Sequence, residues 1–163
     1  MEPLAAARLP FAVWLALVAM QSPARPLSGT VVAVHDGDTI SVRTRDATLR
    51  VRLYGIDCPE YRQPFSARAR QFTSKMIFKR EVTVRVEGTD QYERVLGRVF
   101  VDGVELNEVL VRNGLAWHYE IRVSDRALAD AERYARAAKV GIWSQPNPVP
   151  PWRWRRQQVP AQR

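Results

Sequence analysis

From residue 49 the chain alternates: Leu49, Val51 and Leu53 fall on one face of an extended segment, and Arg50, Arg52 and Tyr54 on the other. A period of two marks a half-buried strand, so Arg52 is expected to point away from the aliphatic face. Val82, Val84 and Val86 repeat the pattern against Thr83, Arg85 and Glu87. Shorter β-rich runs cover Gly29 to Val34 and Thr39 to Arg43, separated by the turn His35-Asp36-Gly37-Asp38. Leu96 to Val101 ends at Asp102-Gly103, a pair suited to a hairpin turn. The reading gives about five strands.

Three stretches change to helical spacing. The first is expected to be capped by Ser66 and to run to about Phe78, with Ala69, Phe72 and Met76 turned to the core. The second runs from about Leu106 through Val109 and Leu110 to a stop at Asn113-Gly114, where glycine suits the left-handed residue past a helix end. The third starts after Ser124, turns Leu128, Ala131, Ala135 and Ala138 inward and ends near Gly141. Strands with segregated helices predict an α+β domain.

Both ends depart from this pattern. Phe11 to Met20 is an unbroken apolar run, preceded by Arg8 and followed by the small residues Ser22-Pro23-Ala24. Such a run is too short for a bilayer span of roughly 20 residues and fits a secretory signal peptide over residues 1–24. The expectation is a protein with no stable membrane span, secreted or periplasmic after the leader is removed. Beyond residue 144, Pro146, Pro148, Pro150 and Pro151 predict an extended, partly ordered tail over 145–163. Its Trp152, Arg153, Trp154, Arg155 and Arg156 interleave rings with guanidiniums, a composition that stacks bases and neutralises phosphates, or packs its rings back on the domain. One domain over 25–144 remains.

The 163 residues carry a formal net charge of +8. A basic balance favours polyanionic partners and makes binding fall with salt, although it also serves solubility alone. Cys58 is the only cysteine, so no internal disulfide forms and stability must come from the core.

The chemistry-bearing residues concentrate between Val34 and Glu60. Asp36, Asp38, Arg52, Asp57 and Glu60 lie in this one stretch, and Arg94 follows in a loop. Carboxylates hold a divalent cation through hard oxygen ligands, guanidinium forks match phosphate oxygens, and a spare carboxylate activates water. That combination suggests chemistry on phosphate. His35 and His118 have no nucleophile at useful spacing and read as exposed or packing residues. Taken singly, Asp36-Gly37 is an ordinary turn pair, Pro59-Glu60 a strand end and Arg94 a surface loop charge.

The ordered set resembles the staphylococcal nuclease (thermonuclease) family. The matching pieces are V-x-D-G-D-T at 34–39, R-L-x-G-I-D-x-P-E at 52–60, Q-P-F at 63–65, D-x-Y-x-R at 90–94, the helix LNEVLVRNGLA at 106–116 and Trp143 after the last helix. The resemblance implies a five-stranded OB-fold barrel with three helices and a calcium-dependent phosphodiesterase site. It implies Asp38, Asp57 and the backbone carbonyl of Cys58 as calcium ligands, with Asp36 contacting the ion through water. Arg52 and Arg94 match the pair that grips the scissile phosphate, Glu60 the general base, and Tyr92 and Tyr119 the tyrosines lining the nucleotide site. The implied activity is hydrolysis of DNA and RNA by a monomer, preferably where strands are single or open, leaving 3′-phosphate ends. The alternative is a noncatalytic OB-fold nucleic-acid-binding module. Three departures from the family pattern are Cys58 in place of a hydroxyl residue, Gln91 where a lysine often precedes the tyrosine, and a short loop after Glu60.

Overall fold

The computed structural model describes residues 26–158; the leader expected over 1–24 lies outside the described residues. Eight strands form: β1 (Leu27–Val34), β2 (Thr39–Arg43), β3 (Thr48–Leu53), β4 (Ile56–Asp57), β5 (Glu81–Thr89), β6 (Val95–Val101), β7 (Val104–Glu105) and β8 (Trp117–His118). Five of them, in the order β3-β2-β1-β5-β6, close into a barrel because β3 pairs back onto β6 in parallel. β1 serves two neighbours, pairing with β5 through Leu27 to Thr30 and with β2 through Thr30 to Val34. A register shift between Val31 and Ala33 bends it from one partner to the other. The alternating apolar positions fill the interior: Val31, Ile40, Val42, Val51, Val84 and Val99 are fully buried. Each such side chain contributes roughly 1.5–3 kcal/mol of transfer free energy.

The three expected helices are present as α1 (Ser66–Ile77), α2 (Leu106–Arg112) and α3 (Arg126–Ala137). They cover the barrel with Ala69, Ile77, Leu106, Leu110, Leu128 and Ala131. Ser66 does not cap α1. Phe65 is the N-cap residue, in left-handed conformation at φ 72°, and no side chain accepts a hydrogen bond there. The cap of α3 is Asp125, whose carboxylate accepts from the Leu128 N–H at 3.0 Å. Ala138 lies past the end of α3 and is exposed rather than turned inward.

The tail differs most from its sequence expectation, since Pro151–Gln158 is a helix, α4, and not an extended segment. Proline at the first helical position has a φ already suited to the helix, and its missing N–H is one that a helix start leaves unbonded anyway. The Pro150 carbonyl accepts from the N–H groups of Arg153 and Trp154 at 2.9 and 3.0 Å, completing the first turn. Trp152 packs back on the domain, its ring 5.8 Å from Trp117 and 5.1 Å from Tyr119. It joins a second apolar cluster of Trp117, Ala135, Ile142 and Trp143. Among the described residues no helix is long and apolar enough to cross a membrane.

Candidate active site

The barrel's closure explains why residues far apart in sequence meet. β2 pairs with β3 so that Thr39 faces Arg52, which sets Asp38, one residue earlier, beside the same arginine. The Asp38 carbonyl accepts from the Leu53 N–H at 2.8 Å and fixes that junction. β3 pairs with β6 so that Arg52 faces Leu96, two residues after Arg94. A tight turn through Tyr54 and Gly55, with Gly55 at φ 76°, then returns the chain as β4 and delivers Asp57.

The turn that carries Asp38 presses onto β4 and α1 at Gly37. A Cβ there would lie 2.7 Å from Cys58 Sγ and 2.8 Å from Ala69 Cβ, so only glycine allows the approach. Asp36 Oδ1 accepts from the Asp38 N–H at 2.9 Å, an Asx turn that orients the loop. On the other side, Asp38 Oδ2 accepts from the Cys58 N–H at 2.5 Å. Asp38 and Asp57 are 5% and 1% exposed, which buried carboxylates tolerate only when paired.

Their pairing is shared. Arg52 bonds Asp57 Oδ1 through Nη2 at 2.7 Å and forms an ion pair with Asp38 Oδ1 through Nη1. The two terminal nitrogens of one guanidinium are close neighbours on a rigid plane, so the carboxylate oxygens they reach must converge on a small volume. Hard oxygen donors converging in this way suit a hard divalent cation such as calcium. Among the described residues no three His, Cys, Asp or Glu side chains cluster as a metal site. A cation here would therefore draw on these two carboxylates and complete its shell with backbone carbonyl, water and substrate oxygens, a mixture calcium accepts. The donor set fits the ion.

Above the buried acids lies a cleft of about 690 Å³. Arg52, Glu60, Tyr92, Arg94 and Tyr119 all line it, as do Arg122 and Arg155. Arg94 reaches it from the 90–94 loop, which Asp90 organises. Asp90 Oδ1 accepts from the N–H groups of Tyr92 and Arg94, and Oδ2 accepts from Arg94 Nε at 2.7 Å. Burial alone would push the Asp90 carboxyl up, but the hydrogen bonds from Arg94 and Tyr92 outweigh it and hold the group below the usual carboxylate range. The Arg94 guanidinium lies 5.4 Å from the Tyr92 ring, which is 69% exposed and available for stacking. Tyr119 follows β8, which pairs with β4 so that Asp57 faces Trp117.

Cys58 contributes no reactive thiol. Burial pushes its thiol well above the usual range, so sulfur stays protonated beneath the site. His118 is buried with Nε2 2.9 Å from the Val123 carbonyl, and His35 pairs with Ser41. His118 is a packing residue and His35 an exposed one.

The structure adds two residues to the site that the strand pattern does not reveal. Gln63 accepts from the Glu60 N–H at 2.9 Å and donates to the Val149 carbonyl at 2.6 Å, tying the Glu60 loop to the segment before α4. Arg155, on α4, reaches Asp57 with both terminal nitrogens, at 2.9 and 3.2 Å, and pairs with Glu60 Oε1. Burial alone would lower the Arg155 guanidinium's pKa, but hydrogen bonds to Asp57 and Glu60 raise it further above its usual value, so it remains a cation. Its only advance signal is a three-residue spacing from Trp152, which sets both on the inner face once a helix forms.

Residues 50–145 match the family described as "Staphylococcal nuclease homologue". Among similar proteins, "Protein ParB" of Escherichia coli is 43% identical over 164 residues, covering 93% of this chain and 92% of that protein. "Micrococcal nuclease" of Shigella flexneri is 39% identical over 139 residues, 78% of this chain and 80% of its own length. An "Uncharacterized endonuclease" of Escherichia coli is 40% identical over 130 residues, with coverage of 79% and 85%. With a barrel that gathers acids and arginines in one cleft, and a family match across more than half its length, the chain belongs to the staphylococcal nuclease family.

Proposed function

We propose that this nuclease hydrolyses phosphodiester bonds in DNA and RNA, preferring single-stranded or open regions, with calcium bound at Asp38, Asp57 and the Cys58 carbonyl. The observation that supports the reading is one cleft lined by Arg52, Arg94 and Glu60, with Arg52 also paired to two buried carboxylates. Arg52 and Arg94 donate to the non-bridging oxygens of the scissile phosphate and offset charge growing there as water attacks. Glu60 accepts the water's proton. Arg155 engages only Oε1 of Glu60, and Oε2 is the oxygen assigned to that proton. The new phosphorus–oxygen bond forms as the bond to the 5′ oxygen breaks, the leaving oxygen takes a proton from solvent, and a 3′-phosphate end remains. Bound calcium supplies Lewis-acid polarisation of a phosphate oxygen. Tyr92 and Tyr119 offer ring faces to bases without reading sequence, which suits an OB-fold barrel tracking a single strand.

The protein is read as a monomer, and the apolar run at 11–20 supports its being exported, secreted or periplasmic. The test is cleavage of denatured DNA and of RNA with calcium or with chelator, with end-group analysis of the products. Cleavage that needs calcium and yields 3′-phosphates supports the reading. Tight binding without turnover in calcium rejects it in favour of a noncatalytic binding module.

A further inference from the structure

A nuclease that cuts within a strand must hold nucleotides on both sides of the scissile phosphate, and the cleft holding Tyr92 and Tyr119 accounts for one side. Beyond the Glu60–Arg155 ion pair lies a second concavity of about 520 Å³, lined by Glu60, Tyr61, Arg62, Trp154, Arg155 and Gln158. Glu60 and Arg155 line both hollows, so the two meet at the reactive centre. Its size is in the range of roughly 300–1,000 Å³ that small-molecule sites occupy.

The lining chemistry is that of a single-strand track. Tyr61 is 83% exposed, one of the most exposed large side chains among the described residues, and the Arg62 guanidinium lies 5.4 Å from its ring centroid. A ring left this exposed has a face free to stack on a base. Trp154, half-buried on α4 and two residues from the inward-packing Trp152, lines the same hollow as Tyr61. Arg62 and Arg155 are cations beside a single acid, Glu60, and α4 itself holds Arg153, Arg155 and Arg156 with no acid. Rings interleaved with guanidiniums, in a hollow continuous with a phosphate site, match an unstacked nucleic-acid strand.

Building on the function proposed above, we infer that Tyr61, Arg62 and Trp154 form a second nucleotide subsite, across the scissile phosphate from the Tyr92–Tyr119 cleft. The strand crosses over Glu60 and Arg155, and one base stacks between Tyr61 and Trp154. This subsite depends on α4 and on the short loop after Glu60.

The experiment is steady-state cleavage in calcium of hexathymidylate by the full chain and by Tyr61→Ala, Trp154→Ala and the pair. The readout is KM beside kcat. The double variant is expected to raise KM about tenfold or more, the worth of one stacked base, with kcat little changed, and Tyr61→Phe with Trp154→Phe restores KM. Because Tyr61 is on the surface, its single change tests the subsite without endangering the fold. Variants that keep the KM of the unsubstituted chain overturn the subsite and leave the nuclease reading intact. No cleavage by the unsubstituted chain rejects that underlying reading and the subsite with it.

Discussion

Arg94 shows how one loop acid sets the geometry of a guanidinium. Asp90 binds its Nε and two backbone N–H groups of the same loop, so Asp90→Ala unties Arg94 without touching the barrel. The expected outcome is a loss of tenfold or more in kcat/KM on single-stranded DNA, about 1.4 kcal/mol, with little change in melting temperature. The carboxyl's folded pKa lies below its unfolded one, so this loop's contribution to stability is full above the ordinary carboxylate range and is lost as pH falls through the folded value. Arg98 is the structural counterpart: 8% exposed, it joins Glu87 on β5, Glu105 on β7 and Asp125 before α3. Arg98→Ala leaves three acids facing one another and is expected to destabilise by roughly 3–5 kcal/mol in urea unfolding. At this scale Asp38, Asp57, Arg52, Glu60 and Arg94 were legible in the sequence, because they sit in motifs of fixed order. Gln63 was visible only as part of Q-P-F, and its work as a tie between two loops depends on tertiary contact.

The strands and the first three helices were legible for a different reason: a buried face forces periodicity. Val51 and Leu53 must alternate with Arg50 and Arg52 if one side meets the core, and the pattern survives in the fold. α4 escaped because eight residues with two tryptophans and prolines at the start give no periodic stripe; the docked ring of Trp152 decides its structure. Docking also places Arg155 on Asp57, where it would compete with the proposed calcium for that carboxylate. Arg155→Gln is expected to tighten calcium binding about two- to fivefold by calorimetry, the scale of a half-exposed ion pair. Elsewhere, Gly114 and Gly141, at φ 62° and 58°, bring the end of α2 against the end of α3. A Cβ on either would strike the backbone of the other segment, so Gly141→Ala should cost more than about 2 kcal/mol, read as a lower melting temperature.

At the scale of the molecule, a closed barrel carries the acids on one side of a parallel β3–β6 seam and the second arginine just before it. That seam was not legible from periodicity, which finds strands and not their partners; the family resemblance supplied the barrel. The formal charge of +8 and the arginines at the cleft predict a salt-sensitive grip. If Arg52, Arg94, Arg155 and Arg62 each neutralise a phosphate, the affinity for single-stranded DNA should fall with a log–log salt slope of about −3. A slope near zero would mean that these side chains do not meet the backbone.

Under the proposed function, folding gathers Glu60 and two arginines beside paired carboxylates to hydrolyse one phosphodiester. The most direct measurement is kcat of Glu60→Gln on single-stranded DNA in saturating calcium, beside the unsubstituted chain and with matched melting temperatures. The expected fall is about a hundredfold to ten-thousandfold, the worth of a general base. Equal kcat in the two proteins would contradict it.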